Sequence, residues 1–262
     1  MKGIAMDHLR LGKRRARYDR RTLQLANYTA AMPNPPTSVN WARNITTWPM
    51  WLNDSIGDCT IAGCNRLRQI WTKNTLGTPA ITSDADTLTA YEAVSGYTPG
   101  NPATDQGANM MDALNYWRNT GIGGDNLFAY AQAAPTLKRQ VRQALWLFGG
   151  LYAGFALPRS AQTQTHPNGR WSQSVSPSSR AGRPGGWGLH ACTLSGYGPN
   201  WIGVIPWGSP DVGYMTMTWQ FLFTYCDELY ACLSSQDWAE NSLAPSGFNL
   251  SQLQADLAKI HN

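Results

Sequence analysis

Hydrophobic periodicity changes character once along this chain, and that change limits the folds open to it. Up to about residue 148 the apolar residues recur at helical spacing; beyond it they come mostly in short runs of strand length. In the first part Cys64, Leu67 and Trp71 share one face, with Ile70 beside them, which predicts a helix from about Cys59 to Asn74. Further helices are expected over 84–94, over 108–120, where Met111, Leu114 and Trp117 or Tyr116 keep the spacing and Gly121 ends it, and over 136–148. In the second part "GGLYAGFAL" (149–157), 190–198, 201–205 and 212–218 read as strands. Residues 158–187, rich in Ser, Gln, Pro and Gly, read as a long surface loop. A helix is expected over 219–233, a short amphipathic helix over 249–260, and a short strand over 22–28. Helices first and strands after imply an α+β chain of two lobes.

Composition narrows the class. Of 262 residues 42% are apolar and 14% charged, which excludes disorder across the body and allows an ample core. The twelve Trp suit a cleft or an interface as well as a core. The net charge of +5 is concentrated in "RLGKRRARYDRR" (10–21), where six Arg and one Lys face a single Asp. This basic arm is expected to lie outside the lobes, as a solvated tail or as a contact for an acidic partner surface or nucleic acid through Arg10, Lys13, Arg14, Arg15, Arg17, Arg20 and Arg21. No run of about 18 apolar residues predicts a membrane helix, and no apolar segment follows the basic start as in a secretory signal. The five cysteines are therefore expected to be reduced thiols in the cytoplasm of the producing cell.

The chemistry centres on "NDSIGDCTIAG" (53–63). Asp58 or Gly57 can cap the helix, which puts Cys59 in its first turn, where the dipole and free N–H groups favour a thiolate. A buried structural cysteine is the other reading of the same stretch. The four His show no HxH or HExxH arrangement and no CxxC occurs, so no metal or other cofactor is expected. "GIGG" (121–124) lacks the Lys-Ser/Thr of a phosphate loop, and no GxSxG elbow occurs. A nucleophilic thiol needs a base from elsewhere in the chain, and "GGWGLHACTLSGYG" places His190 near the start of an apolar strand.

That histidine segment resembles its counterpart in papain-like cysteine peptidases, where the His opens an apolar strand ending in Gly-Tyr-Gly. "HACTLSGYGPN" has this form, with Trp207-Gly208 and Gly213-Tyr214 after it. The front of the chain agrees. "PTSVNWARNITTWPMWLNDSIGDCTIAG" resembles the family's opening segment, with Asn53 six residues before Cys59 where the family has an oxyanion-hole Gln. "GANMMDALNYWRNTGIGGDNLFAYA" and "LKRQVRQALWLFGGLYAGFAL" resemble its middle. The resemblance spans roughly residues 33–218, with a closer tie to papain-like proteins of bacteria and phages through "GDCT", "LFGGLY" and the run ending in "YCDELYACLS". It implies an α+β, papain-like two-lobed fold, a helical lobe with its central helix starting at Cys59 and an antiparallel β lobe. One departure stands out: the family's third catalytic residue, an Asn, is replaced by Ile205, so a backbone carbonyl, a water or another side chain (Asn200 and Asp211 are distant choices) must orient His190.

The resemblance implies three segments: a basic arm over 1–29, a papain-like domain over 30–234 (helical lobe about 50–148, β-rich lobe about 149–218), and an extension over 235–262. It implies a thiol hydrolase that cleaves a peptide or isopeptide bond in an interlobe cleft. Cys59 is the nucleophile, His190 the base, and Asn53 the oxyanion donor. Asp58 and Trp207 support them. The alternative is a weak or inactive papain-like fold that serves as a structural or interaction component, such as part of a phage particle, which would also place it in a virion.

Overall fold

The computed structural model describes residues 8–29 and 34–234. Its helices are α1 (Ala26–Thr29), α2 (Cys59–Leu76), α3 (Asp84–Ser95), α4 (Met110–Asn119), α5 (Lys138–Phe148) and α6 (Trp219–Tyr225). Its strands are β1 (Val39–Asn40), β2 (Leu127–Gln132), β3 (Leu151–Leu157), β4 (Arg170–Trp171), β5 (Gly188–Tyr197), β6 (Ile202–Ile205), β7 (Met215–Met217) and β8 (Cys226–Ser234). The strands form one eight-stranded sheet in the order β2-β8-β3-β5-β6-β7-β4, with β1 also paired to β5. All pairings are antiparallel except β4 with β7.

Helix α2 is the hub of the core. The chain turns sharply before it, with Trp51 and Leu52 in the left-handed region, and Gly77 ends it in the same region. The helix rests on the sheet through Gly63, where a Cβ would meet the Tyr152 ring at 2.8 Å. Tyr152 donates its hydroxyl proton to the Thr60 carbonyl at 2.8 Å, and Thr193 Oγ1 on β5 donates to the Gly63 carbonyl at 2.8 Å. These bonds fix the N-terminus of α2 over β3 and β5. Farther along α2, Trp71 stacks on Trp117 of α4, with ring centroids 5.7 Å apart, and donates its Nε1–H to the Phe148 carbonyl. Burial of such large aromatic surfaces carries much of the stabilisation of the helical side.

Three expectations are corrected. Residues 219–233 are not one helix: α6 stops at Tyr225 and β8 follows at once, joining β2 to β3. Residues 22–28 make a single parallel bridge, Gln24 with Gln132, and then turn into α1 rather than a strand. The loop 158–187 carries β4 and a short 3-10 turn at Arg159–Gln164, anchored by the fully buried Trp171. The helix expected over 249–260 lies outside the described residues. No described helix is long and apolar enough to cross a membrane.

The basic arm is also placed differently from expectation. Leu9, Lys13 and Leu25 are buried, and residues 8–15 run through the seam between the helical side and the sheet. On the helical side Arg10 N–H donates to the Asn53 carbonyl at 3.1 Å, Ala108 N–H to the Gly12 carbonyl at 2.8 Å, and Arg14 N–H to the Ala108 carbonyl at 2.8 Å. On the sheet side Lys13 N–H donates to the Leu189 carbonyl at 3.3 Å. The pairing of Lys13 with Ala108 is parallel. Glycines make the passage: a Cβ on Gly12 would lie 1.6 Å from the Gly57 carbonyl oxygen, and one on Gly107 would lie 2.1 Å from that of Gly12.

Candidate active site

Cys59 is the first residue of α2 and is fully buried. Its Sγ accepts the Ala191 N–H of β5 at 3.4 Å, and the Gly12 amide of the arm is directed at it as well. His190, next to Ala191 on β5, is likewise fully buried. Its Nε2 lies 2.9 Å from the Pro206 carbonyl oxygen. A carbonyl oxygen only accepts, so Nε2 carries the hydrogen and Nδ1 keeps its lone pair. Nδ1 has no hydrogen-bond partner among the described residues. One face of the ring is covered by Trp207, stacked at 3.8 Å between centroids and 16° between planes.

The orienting group is therefore the backbone of Pro206, which side-chain reading could not name. Ile205 points elsewhere: it is fully buried in an apolar cluster with Ala42, Ile45, Trp48 and Ile70. Of the two distant choices, the Asp211 carboxylate is engaged away from the ring, 3.3 Å from His8 Nε2. At Asn200 it is the main-chain carbonyl that is engaged, accepting from Arg170.

Asn53 is fully buried and its Nδ2 donates to the carbonyls of Arg10 and Ile56, each at 3.3 Å. The Arg10 carbonyl also accepts the Trp207 Nε1–H at 3.1 Å. One arm carbonyl thus bonds both Asn53, ahead of α2, and Trp207, which follows β6. Asp58 holds the position before α2, but its carboxylate makes no capping hydrogen bond and both oxygens are buried without partners. Burial holds its pKa well above the usual carboxylate range, although Arg66 opposes this. Asp58 is thus an enclosed carboxyl at the start of α2 rather than a cap.

Electrostatics follow from enclosure. Burial pushes the Cys59 thiol up to about 12, against the pull of the Ala191 and Gly12 amides. Burial lowers His190 to about 3, against the Pro206 carbonyl. At neutral pH the pair is thiol and neutral imidazole, not thiolate and imidazolium. Among the described residues no group of three or more His, Cys, Asp or Glu side chains is placed to hold a metal ion, and all five cysteines are free.

The fold that holds these residues has counterparts among solved structures. Xylellain, a cysteine protease from Xylella fastidiosa, superposes with a TM-score of 0.66 over 86% of this chain and 96% of its own, at 15% identity. Procathepsin L 3 from the larval midgut of Tenebrio molitor gives 0.57 over 87% and 77%, at 15% identity. The bromelain protease of Ananas comosus gives 0.52 over 76% and 99%, at 14% identity. The fold is that of the papain-like cysteine proteases. No protein-family model matches the sequence. No curated protein matches it either.

The sequence allowed a backbone carbonyl as the orienter of His190 without naming Pro206 as its source, and it did not place Arg10, Gly12 and Lys13 of the arm, or the carboxylates that meet Lys13, at the site. Lys13 is not available to an outside partner. Its Nζ lies 2.8 Å from Asp227 Oδ2 and 2.8 Å from Glu228 Oε1 at the start of β8. The one legible signal was an Asp-Glu pair inside an apolar run, "CDELYACL". A carboxylate in a buried strand needs a cation, and the basic arm was the place to look for it.

Proposed function

We propose that this chain is a papain-like thiol hydrolase that cleaves a peptide or isopeptide bond with Cys59 and His190, and that residues 8–15 hold it latent. The observation that carries this reading is the state of His190. Its Nε2–H is tied to the Pro206 carbonyl, its face is covered by Trp207, and its free Nδ1 belongs to the residue beside the one whose amide bonds Cys59 Sγ. A histidine held in this way has one nitrogen left for proton transfer.

With the arm withdrawn, water reaches the site and the penalty on charge falls. Cys59 then passes its proton to His190 Nδ1, and the thiolate attacks the substrate carbonyl carbon. The Cys59 N–H and Asn53 Nδ2, freed from the Arg10 carbonyl, hold the oxyanion. The imidazolium gives its proton to the leaving amine, and a thioester remains on Sγ. His190 takes a proton from water, whose oxygen attacks the thioester, and the acid product leaves as Sγ is reprotonated. In the closed form no such attack occurs on the arm, because the group it directs at the sulfur is the Gly12 N–H and not a carbonyl carbon.

The test is peptide hydrolysis by the full chain carrying Gly12→Val, whose side chain cannot pass the Gly57 carbonyl. Turnover is expected, absent in the same protein with Cys59→Ala and retained with Cys64→Ala. A second reading, a papain-like structural component such as part of a phage particle, draws on the enclosure of Cys59 and His190 in uncharged form. An arm-opened protein in which Cys59 resists iodoacetamide at pH 7 and hydrolyses nothing favours that reading.

A further inference from the structure

Seven basic side chains lie between residues 10 and 21, and only that of Lys13 is buried. Its side chain is 0% exposed, so general basicity of the arm does not account for its position. Three features surround it. Asp227 and Glu228 each place a carboxylate oxygen 2.8 Å from Nζ. Tyr230 donates its hydroxyl to the other Glu228 oxygen, Oε2, at 2.9 Å, which fixes that carboxylate toward the ammonium. Gly154, in the middle of β3, leaves the room: a Cβ there would lie 2.2 Å from Lys13 Cε, 2.7 Å from Glu228 Cγ and 2.7 Å from Met110 Sδ.

The backbone contacts beside this pocket do not depend on sequence. The Leu189 carbonyl and both polar groups of the Ala108 peptide bond the arm main chain around Lys13. An extended polypeptide of any composition can use them, and selectivity then falls to the side-chain pocket. Glu228 is only 1% exposed, so once Lys13 leaves, its carboxylate is enclosed with no cation. Such a pocket rejects an apolar or acidic side chain and is refilled by a basic one.

Resting on the hydrolase reading above, we propose that the Lys13 pocket is the specificity pocket of the cleft, and that Glu228, Asp227 and Gly154 select a Lys or Arg side chain in the bound polypeptide. The arm holds the protein shut by presenting the side chain that the pocket requires. The substrate class is therefore a protein or peptide with a basic residue near the bond cleaved, set in an extended segment.

Binding tests this apart from turnover. In the full chain with Gly12→Val, synthetic decapeptides copying residues 8–17 with Lys, Arg, Leu or Glu at the position of Lys13 compete with iodoacetamide for access to Cys59. The Lys and Arg peptides are expected to protect at a concentration at least tenfold below the Leu peptide, and the Glu peptide least of all. Glu228→Gln in the same background is expected to reduce the Lys-to-Leu ratio to near unity. Equal protection by Lys and Leu, or a ratio unmoved by Glu228→Gln, overturns the pocket even if peptides are hydrolysed. Selective protection without hydrolysis upholds the pocket and removes the hydrolase reading. Lys13→Glu in the parent is a second route to the open form, should Gly12→Val fail to fold. An arm that stays closed with Glu at 13 also overturns the proposal.

Discussion

Two halves of one arm, similar in composition, meet opposite fates. In the inner half Leu9, Gly12 and Lys13 are buried between the helical side and the sheet, whereas the side chains of residues 14–18 are all exposed. The outer half is richer in charge, and its contacts are those of a surface: Arg14 Nε on the Gln106 carbonyl and Arg17 on Asp112. The inner half has one glycine at the crossing and one cation at the carboxylates. Charge alone therefore does not position a basic segment. A side-chain-free crossing and a matched counter-charge do.

The sharpest way to break this comparison is to enlarge a residue in each half. Gly12→Val is expected to raise the rate of Cys59 alkylation by about a hundredfold, corresponding to ~3 kcal/mol at the upper end of overpacking costs. Ala16→Val in the exposed half should leave that rate unchanged. Next in size, Lys13→Ala strands the Glu228 carboxylate. An effect of about 2 kcal/mol on arm docking is expected, below the ~3–5 kcal/mol of a fully buried broken pair because Asp227 is partly solvated, whereas Arg15→Ala should stay within ~0.5 kcal/mol. Alkylation rate and thermal midpoint both read these differences.

The smallest expected effect is that of pH. His190 is held down at about 3 in the closed form, against an ordinary value of 6.5. The open form therefore binds more protons below 6.5. The closed form keeps its full advantage above that value and loses it progressively as pH falls toward 3. Glu228 works in the same sense: the Lys13 ammonium pulls its pKa down in the closed form, and that pull is lost when the arm leaves. Taking the protein from pH 7 to 5 is expected to increase arm opening on the order of tenfold, measured by arm-proximal proteolysis rather than by thiol chemistry, whose own rate changes with pH.

Where the sequence was legible, the signals were local. The helical spacing of Cys64, Leu67 and Trp71 located α2 to within two residues of its end. The apolar runs at 149–157 and 190–198 became β3 and β5, and these carry His190 toward the N-terminus of α2. The failures involve partners far away in the chain. Residues 219–233 read as a helix because β8 is buried on both faces from Glu228 to Ser234, which removes the alternation that marks a strand. The arm read as a tail because its binding is by main-chain hydrogen bonds, by glycines crossing glycines, and by a cation whose carboxylates lie more than two hundred residues on. A backbone carbonyl was among the orienters the sequence allowed, but Pro206 could not be named as its source because the contribution is made by an atom that every residue has.

That last feature reaches beyond this molecule. A histidine aligned by a main-chain oxygen carries no residue signature for its aligner, so substitution at either neighbouring position leaves the acceptor in place. Position 205 is thereby released from chemistry, and here an apolar core has claimed it. An inventory that equates a missing asparagine with a dead triad would discard such a site, since the instruction that aligns the ring is written in the path of the chain and not in its alphabet.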